Sequence, residues 1–265
     1  MSVPVAVTIA GSDSSGGAGI AADLKTFAAL GVYGGVVITA LTAQNTRGVA
    51  AIHDVPADFV AAQIDAVFSD LAVDAVKIGM LGNAAAVEAV MAGLARHHAR
   101  HVVLDPVLTA SSGARLLRED AVEALRRLVA GVELVTPNLP EAAALLGAEP
   151  ARDEDEMRAQ AERLKSLGAA AVLIKGGHGE GPESVDLLLD RDGCARFAAP
   201  RIATKNTHGT GCTLSSAIAA GLAKKFSLRE AVAEAKRYVT AAIAAADRLE
   251  VGKGHGPLHH FHAWW

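Results

Sequence analysis

Aromatic side chains are scarce in this chain, at 4% of its 265 residues, so the volume of any core must come mainly from Val, Leu and Ile. Alanine is abundant instead, which suits helices lying close against a sheet. Cysteine is nearly absent too. Cys194 and Cys212 are far apart in sequence, which offers no disulfide scaffold and points to a reducing interior, the cytoplasm. Charge of either sign never gathers into a long run, and the formal balance is 25 − 29 = −4. Arg126-Arg127 and Lys224-Lys225 are short pairs suited to solvated helix faces, so no nucleic-acid groove is expected. No apolar segment reaches about 18 residues without polar interruption, and no basic stretch precedes the strand-like run Val3–Ala10, so neither a membrane span nor export is expected. Repeats, low-complexity tracts and Pro/Gly/Ser-rich linkers are also lacking. The expectation is a single domain over residues 1–265.

What is present is an alternation. Short Val/Ile/Leu runs occur at Val3–Ala10, Gly35–Leu41, Ala75–Ile78, His101–Leu104, Glu133–Thr136 and Ala170–Ile174. Helical patterns fall near Gly19–Leu30, Ala57–Leu71, Ala84–His97, Asp120–Val129 and Glu154–Leu167. Strands alternating with helices predict an α/β fold, a three-layer sandwich around a mainly parallel sheet. The runs are apolar almost throughout, as strands covered on both faces must be. Ser184–Leu189 and Ala195–Ala199 flank Asp190-Arg191-Asp192-Gly193, and the Asp-Gly pair predicts a small antiparallel hairpin at an edge. A final helix is expected from Leu228 to Leu249, with one stripe through Val232, Ala235, Val239, Ala242 and Ala246. Ligands of open α/β sheets bind beyond the carboxyl ends of the strands, so polar residues there carry the functional argument.

The most informative segment is Asn206-Thr207-His208-Gly209-Thr210-Gly211-Cys212, which runs into the apolar stretch Thr213–Leu222. It reads as a glycine turn opening a helix. The first amides of a helix have no internal partner and carry the positive end of its dipole, so the turn can cradle anionic oxygens. Cys212 sits where that field favours thiolate. A phosphate cradle beside an activatable base points to phosphoryl transfer; the alternative is a plain turn with an inert cysteine.

Other strand ends add candidates. Gly11 and Gly16 in Gly11-Ser12-Asp13-Ser14-Ser15-Gly16-Gly17-Ala18-Gly19 have P-loop spacing, but Gly17 and Ala18 stand where Lys-Ser/Thr should follow, so a P-loop is not expected. Gln44 lies just past a strand and offers one acceptor and two donors, enough for a bidentate pair with an aminated ring edge. Asp23 lies within the first helical pattern, where a solvated carboxylate is the default. Asp105 follows a strand and could hold magnesium, directly or through water, or simply start a turn with Pro106. Asn138 and Glu141 are three apart, placed to converge on a hydrated cation and equally to form a capping box. Lys175, at a strand end before two glycines, could approach a nucleotide phosphate. His259, His260 and His262 lack cysteine or carboxylate partners and are read as a packed tail rather than a metal site.

In order along the chain, these segments resemble a known family. Ala10–Gly19, Ala43-Gln44-Asn45-Thr46, Lys77-Ile78-Gly79-Met80-Leu81, Leu104-Asp105-Pro106-Val107, Thr136–Glu141, Lys175-Gly176-Gly177-His178 and Asn206–Cys212 together are similar to the hydroxymethylpyrimidine/phosphomethylpyrimidine kinases of thiamine biosynthesis. That family is ribokinase-like. The resemblance spans essentially the whole chain, down to His259–Trp265. It implies two successive ATP-dependent phosphorylations, of 4-amino-5-hydroxymethyl-2-methylpyrimidine and then of its monophosphate. By the same resemblance, Gln44, Gly11, Asp23, Met80 and Val107 would line the pyrimidine pocket. Asp105, Asn138 and Glu141 would organise Mg2+, mostly through water. Lys175, Thr210 and Gly211 would meet ATP phosphates, with the amides of Gly209 through Cys212 neutralising the transferring group. Cys212 stands where most ribokinase relatives carry Asp, and would take the substrate hydroxyl proton. A homodimer is implied as well. Pyridoxal kinases share the scaffold, so pyridoxal phosphorylation is the neighbouring alternative; a non-catalytic pyrimidine sensor is the other.

Overall fold

The computed structural model describes residues 3–109, 113, 116, 118, 121–179 and 181–265. Eight strands form one sheet in the order β10-β9-β8-β7-β6-β5-β1-β2. Its parallel members are β1 (Val5–Ala10), β2 (Tyr33–Ile38), β5 (Ala75–Ile78), β6 (Val102–Leu104), β7 (Leu134–Val135) and β8 (Ala171–Lys175). At one edge β9 (Glu183–Asp190) pairs antiparallel with β8 and with β10 (Gly193–Pro200), whose Gly193 opposes Asp190. This is the expected hairpin, and its turn needs Gly193 at φ 96°.

Two layers of helix cover the sheet because its strands are apolar on both sides. In β1, Val7 and Ile9 face one core and Ala6 the other; in β8, Val172 and Ile174 oppose Ala171 and Leu173. The first core packs against α2 (Ala57–Phe68), α3 (Ala84–Arg96), α4 (Ala121–Val129), α5 (Leu139–Leu146) and α6 (Glu154–Ser166) through residues such as Ile64, Val90, Leu128 and Leu164. The second packs against α1 (Gly19–Ala29), α7 (Thr210–Ala223) and α8 (Leu228–Ala244) through Phe27, Ile218 and Val232. Where α7 crosses α8, a Cβ on Gly221 would meet that of Ala231 at 2.9 Å, so small residues set this close approach. The expected three-layer α/β sandwich is therefore present. No helix among the described residues is long and apolar enough to cross a membrane.

Two expectations change. The apolar run Gly35–Leu41 is two strands: β2 ends at Ile38, and β3 (Ala40–Asn45) turns away to pair with β4 (Gly48–Asp54) in a separate antiparallel ribbon. Gln44 is therefore a strand residue, beside a register shift at Ala43/Gln44, and not part of a loop. The last helix stops at Ala244, and a short 3-10 turn, Ala246–Arg248, takes over before Leu249. The helix expected from Asp120 is described from Ala121, since Asp120 lies outside the described residues.

Candidate active site

A cleft of about 600 Å³ opens beyond the carboxyl ends of β1, β5, β6 and β8. Its walls include Gly11, Gln44, Met80 and Val107 at one end, and Pro200, Ile202, Leu214, Val239 and Ile243 at the other. Between them lie Asp105, Lys175 and the turn Gly209–Cys212. This polar centre thus lies between the two ends of one cleft, one beside the β3–β4 ribbon and one between β10, α7 and α8.

The glycine turn is built for close approach. Gly209 has φ 85°, and a Cβ there would meet the Gly17 carbonyl oxygen at 1.9 Å, so the turn and the 11–19 loop press together. The amides of Gly211 and Cys212 have no backbone acceptor among the described residues, so they point their hydrogens at the cleft from the first turn of α7. Thr210 departs from expectation: its amide reaches the Thr207 carbonyl at 3.2 Å and its hydroxyl donates to the same oxygen at 2.7 Å. It braces the turn, and its amide is spent there. A Cβ on Gly211 would come within 3.1 Å of Lys175 Nζ and 3.6 Å of an Asp105 oxygen, so lysine and carboxylate stand directly before the cradle.

Lys175 Nζ lies 2.6 Å from Asp105 Oδ1 and 3.7 Å from Glu141 Oε2. Burial opposes its charge, but Asp105 and Glu141 prevail and hold the ammonium well above the usual lysine range. Burial, reinforced by Asp105 and offset in part by Lys175, pushes Glu141 up to about 7. Asn138 and Glu141 form the expected capping box at the start of α5, each accepting the other's amide at 2.8 Å. Among the described residues, no three His, Cys, Asp or Glu side chains gather tightly enough to cage a metal directly.

Cys212 lines the cleft, yet its thiol is not a thiolate. Burial pushes it up to about 11; the Lys77 ammonium pulls it down, while Asp23 and Asp105 push it further up. This overturns the expectation that the helix field alone would ionise it: desolvation outweighs the dipole. Gly19, the first residue of α1, donates its amide to the cysteine. Asp23 is a second correction. It is fully buried and does not line the cleft. Its carboxylate accepts from Thr8 at 2.6 Å, Ser216 at 2.7 Å and Lys77 at 2.9 Å, one helical turn beyond Cys212. Its place within the first helix is what turns it inward, against α7 and β5.

Several residues carry weight that the sequence had not singled out. Lys77 is fully buried and ion-paired beneath the cysteine. Asp13 accepts the amides of Ser15, Gly17 and Ala18 at 2.8, 3.1 and 2.9 Å, and His208 Nε2 reaches it at 2.7 Å. The signal was the run Gly11–Gly19, where one acidic side chain among small residues can tie down the loop. The segment 252–260 also straps the site: Gly254 N donates to Thr46 Oγ1, His255 N to Thr46 O, and Gly256 O accepts from His208 N. At its end, His260 Nε2 lies 3.1 Å from Thr213 Oγ1. These histidines pack, as expected, against α7 and Tyr238.

A mainly parallel sandwich with an anion cradle facing a buried lysine and two carboxylates at the strand ends defines a ribokinase-like phosphotransferase. Comparison with known proteins narrows the class. Residues 13–259 match the phosphomethylpyrimidine kinase family, and the chain belongs to it. It is 60% identical over 261 residues to a hydroxymethylpyrimidine/phosphomethylpyrimidine kinase of Salmonella typhimurium, covering 98% of each chain. Among solved structures it resembles an ADP complex of Bacillus subtilis pyridoxal kinase (TM-score 0.91, 35% identity, 99% of each chain). It also resembles a phosphomethylpyrimidine kinase from Clostridium difficile (TM-score 0.80, 42% identity, 90% of this chain and 99% of that one).

Proposed function

We propose that this chain phosphorylates 4-amino-5-hydroxymethyl-2-methylpyrimidine with ATP and then phosphorylates the monophosphate to the diphosphate, acting as one kinase domain over residues 1–265. The observation that carries this reading is the placement of Lys175 and Asp105 beside Gly211, midway along one continuous cleft. Family membership and the 60% identical relative support the choice of substrate.

The end that carries Ile202, Leu214 and Val239 accommodates the nucleobase, and the β3–β4 end holds the pyrimidine. There Gln44 faces the amino-substituted edge, Met80 packs against the ring, and Gly11 and Val107 complete the walls. In the first transfer the substrate hydroxyl oxygen bonds to the terminal phosphorus, the bond from that phosphorus to the bridging oxygen breaks, and ADP leaves. The hydroxyl proton passes to the small ionised fraction of Cys212, whose negative charge the Lys77 ammonium favours from below against burial. Gly211 and Cys212 amides and Lys175 neutralise charge on the migrating group, which is the main demand of a loose transition state. In the second transfer the nucleophile is a phosphate oxygen that carries no proton at neutral pH, so no base is needed.

Asp105 and Glu141 are the residues that would organise Mg2+. Two buried carboxylates share one lysine, so the site keeps an excess of negative charge that suits a hydrated dication. With one Asp105 oxygen on Lys175 and Asn138 engaged in its capping box, the donor set fits contact through water rather than a protein cage. The ion would supply charge neutralisation for the phosphates.

Both cysteines are free, in keeping with a reducing cytoplasm. The protein works as a homodimer on this reading, which light scattering tests. The decisive assay is ADP release with hydroxymethylpyrimidine, its monophosphate and pyridoxal side by side. Pyridoxal as the preferred substrate would favour the alternative that the Bacillus subtilis pyridoxal kinase brings forward. No ADP release with any of the three would leave only a sensor.

A further inference from the structure

His208 and Asp13 brace the glycine loop, and both also line the cleft near Gln44. His208 Nε2 stands 2.7 Å from Asp13 Oδ2 and 3.4 Å from the Gln44 amide, so one ring nitrogen touches two partners. The ring is held in place. A Cβ on Gly17 would strike its Cδ2 at 2.5 Å, and its own backbone amide is tied to Gly256 O. Asp13 already accepts three backbone N–H groups. An ionised carboxylate is an acceptor only, so the hydrogen in the shorter contact belongs to His208 Nε2.

That proton decides how Gln44 must stand. A nitrogen that carries hydrogen toward Asp13 presents no lone pair to Gln44, and an NH2 group facing it would set donor against donor. On the other side of the amide, Thr42 Oγ1 lies 3.2 Å away. The single hydroxyl hydrogen of Thr42 is already given to Ser12 O at 2.9 Å, which leaves a lone pair toward Gln44. Both neighbours are satisfied together only with the amide oxygen against His208 and the NH2 against Thr42. The oxygen and nitrogen of an amide exchange by a half turn, and the network fixes which is which.

We propose that the Asp13–His208 pair is a specificity-determining device: it locks the Gln44 amide in one sense, so that the remaining donor and acceptor meet the cleft in fixed order. His208 acts through Gln44 and is a positioning residue. The order matches an aromatic edge where a ring nitrogen acceptor sits beside an amino donor. A 4-oxo pyrimidine presents the reverse, a ring N–H beside a carbonyl, and meets donor with donor. The inference rests on the reading that Gln44 receives the pyrimidine edge.

The test compares affinity for 4-amino-5-hydroxymethyl-2-methylpyrimidine with that for its 4-oxo analogue, by calorimetry on the full chain. The wild type is expected to prefer the amino compound by tenfold to a hundredfold, about the cost of one buried mismatch. His208→Phe removes the lock, and the preference is expected to collapse to about threefold or less while ATP affinity holds, since the amide is then free to turn. A wild-type preference retained in His208→Phe overturns the inference and leaves the pocket assignment standing. Gln44→Ala with unchanged affinity for the amino compound overturns the pocket assignment itself. Should His208→Phe not fold, nitrogen-15 NMR of the wild-type histidines still decides: a proton on Nε2 of His208 is expected, and a bare Nε2 refutes the lock.

Discussion

Replacing Cys212 with alanine separates the two phosphorylations. The thiol is pushed up to about 11 from an ordinary 9.0, chiefly by burial. At pH 7 the thiolate is then about one molecule in ten thousand, since each unit between pH and pKa is a factor of ten. If that minority form takes the hydroxyl proton, the first transfer rises about tenfold per pH unit between 7 and 10, up to the point where ATP binding or product release limits it. Cys212→Ala removes this rise and lowers kcat for the hydroxymethyl substrate by about 100-fold to 10,000-fold, the usual worth of a positioned base. The monophosphate brings a nucleophile that is already ionised, with its second pKa near ~6. Its rate is expected to be flat above neutrality and to fall by less than about threefold in the variant, because cradle and lysine are intact. A coupled ADP assay with each substrate, from pH 6.5 to 10, reads both. Equal losses for the two substrates, or a pH-independent first transfer in the wild type, would refute the base assignment and leave the sulfur a packing residue.

Other perturbations act on separate parts. Gln44→Leu is expected to weaken pyrimidine binding at least about tenfold while leaving ATP affinity within twofold, because Gln44 lines the cleft beside the β3–β4 ribbon; equal losses in calorimetry would count against its position. Gly209→Ala must place a Cβ on the Gly17 carbonyl from a left-handed φ, so kcat is expected to drop about 100-fold or more as the cradle opens, and an unaltered rate would remove the turn from the mechanism. Burial lowers His260 from 6.5 to about 4. The unfolded chain therefore takes up this proton first, and stability should fall as pH drops from 6.5 towards 4, with His260→Gln flattening that part of the melting curve against pH. Asp13 behaves oppositely to its burial: His208 and Ser15 bonds hold it at about 2, so its contribution is full well above 3.8 and is lost as pH falls from 3.8 through 2.

Layering and strand identity were legible in the sequence because both depend on short-range pattern. The run at Ala170–Ile174 is apolar on both faces, that at Ala75–Ile78 is apolar but for Lys77, and the Asp-Gly pair at 192–193 set the hairpin. Gln44 was misplaced because nothing in Gly35–Leu41 marks the change at Thr39 from the main sheet to the ribbon; only tertiary pairing with β4 makes the break. Motif order located Asp105, Lys175 and the glycine turn. Charge state was the harder part. The Cys212 position beside a helix start argues for thiolate, and only the three-dimensional burial around it reverses the sign. Asp23 and Lys77 neutralise each other across 54 positions, a relation no local pattern records. Thr210 fell to a similar cause, since an amide in a glycine turn is free or spent according to one carbonyl, that of Thr207.

The strap at 252–260 has a bearing on how the molecule comes into being. Its bonds to Thr46 close loops of about 208 positions, and the Asp13–His208 contact spans 195. Such closures are slow and come late, after sheet and helices have condensed through nearer neighbours. During refolding, a native-like circular dichroism signal should therefore precede recovery of turnover, with competence arriving only when this belt is fastened.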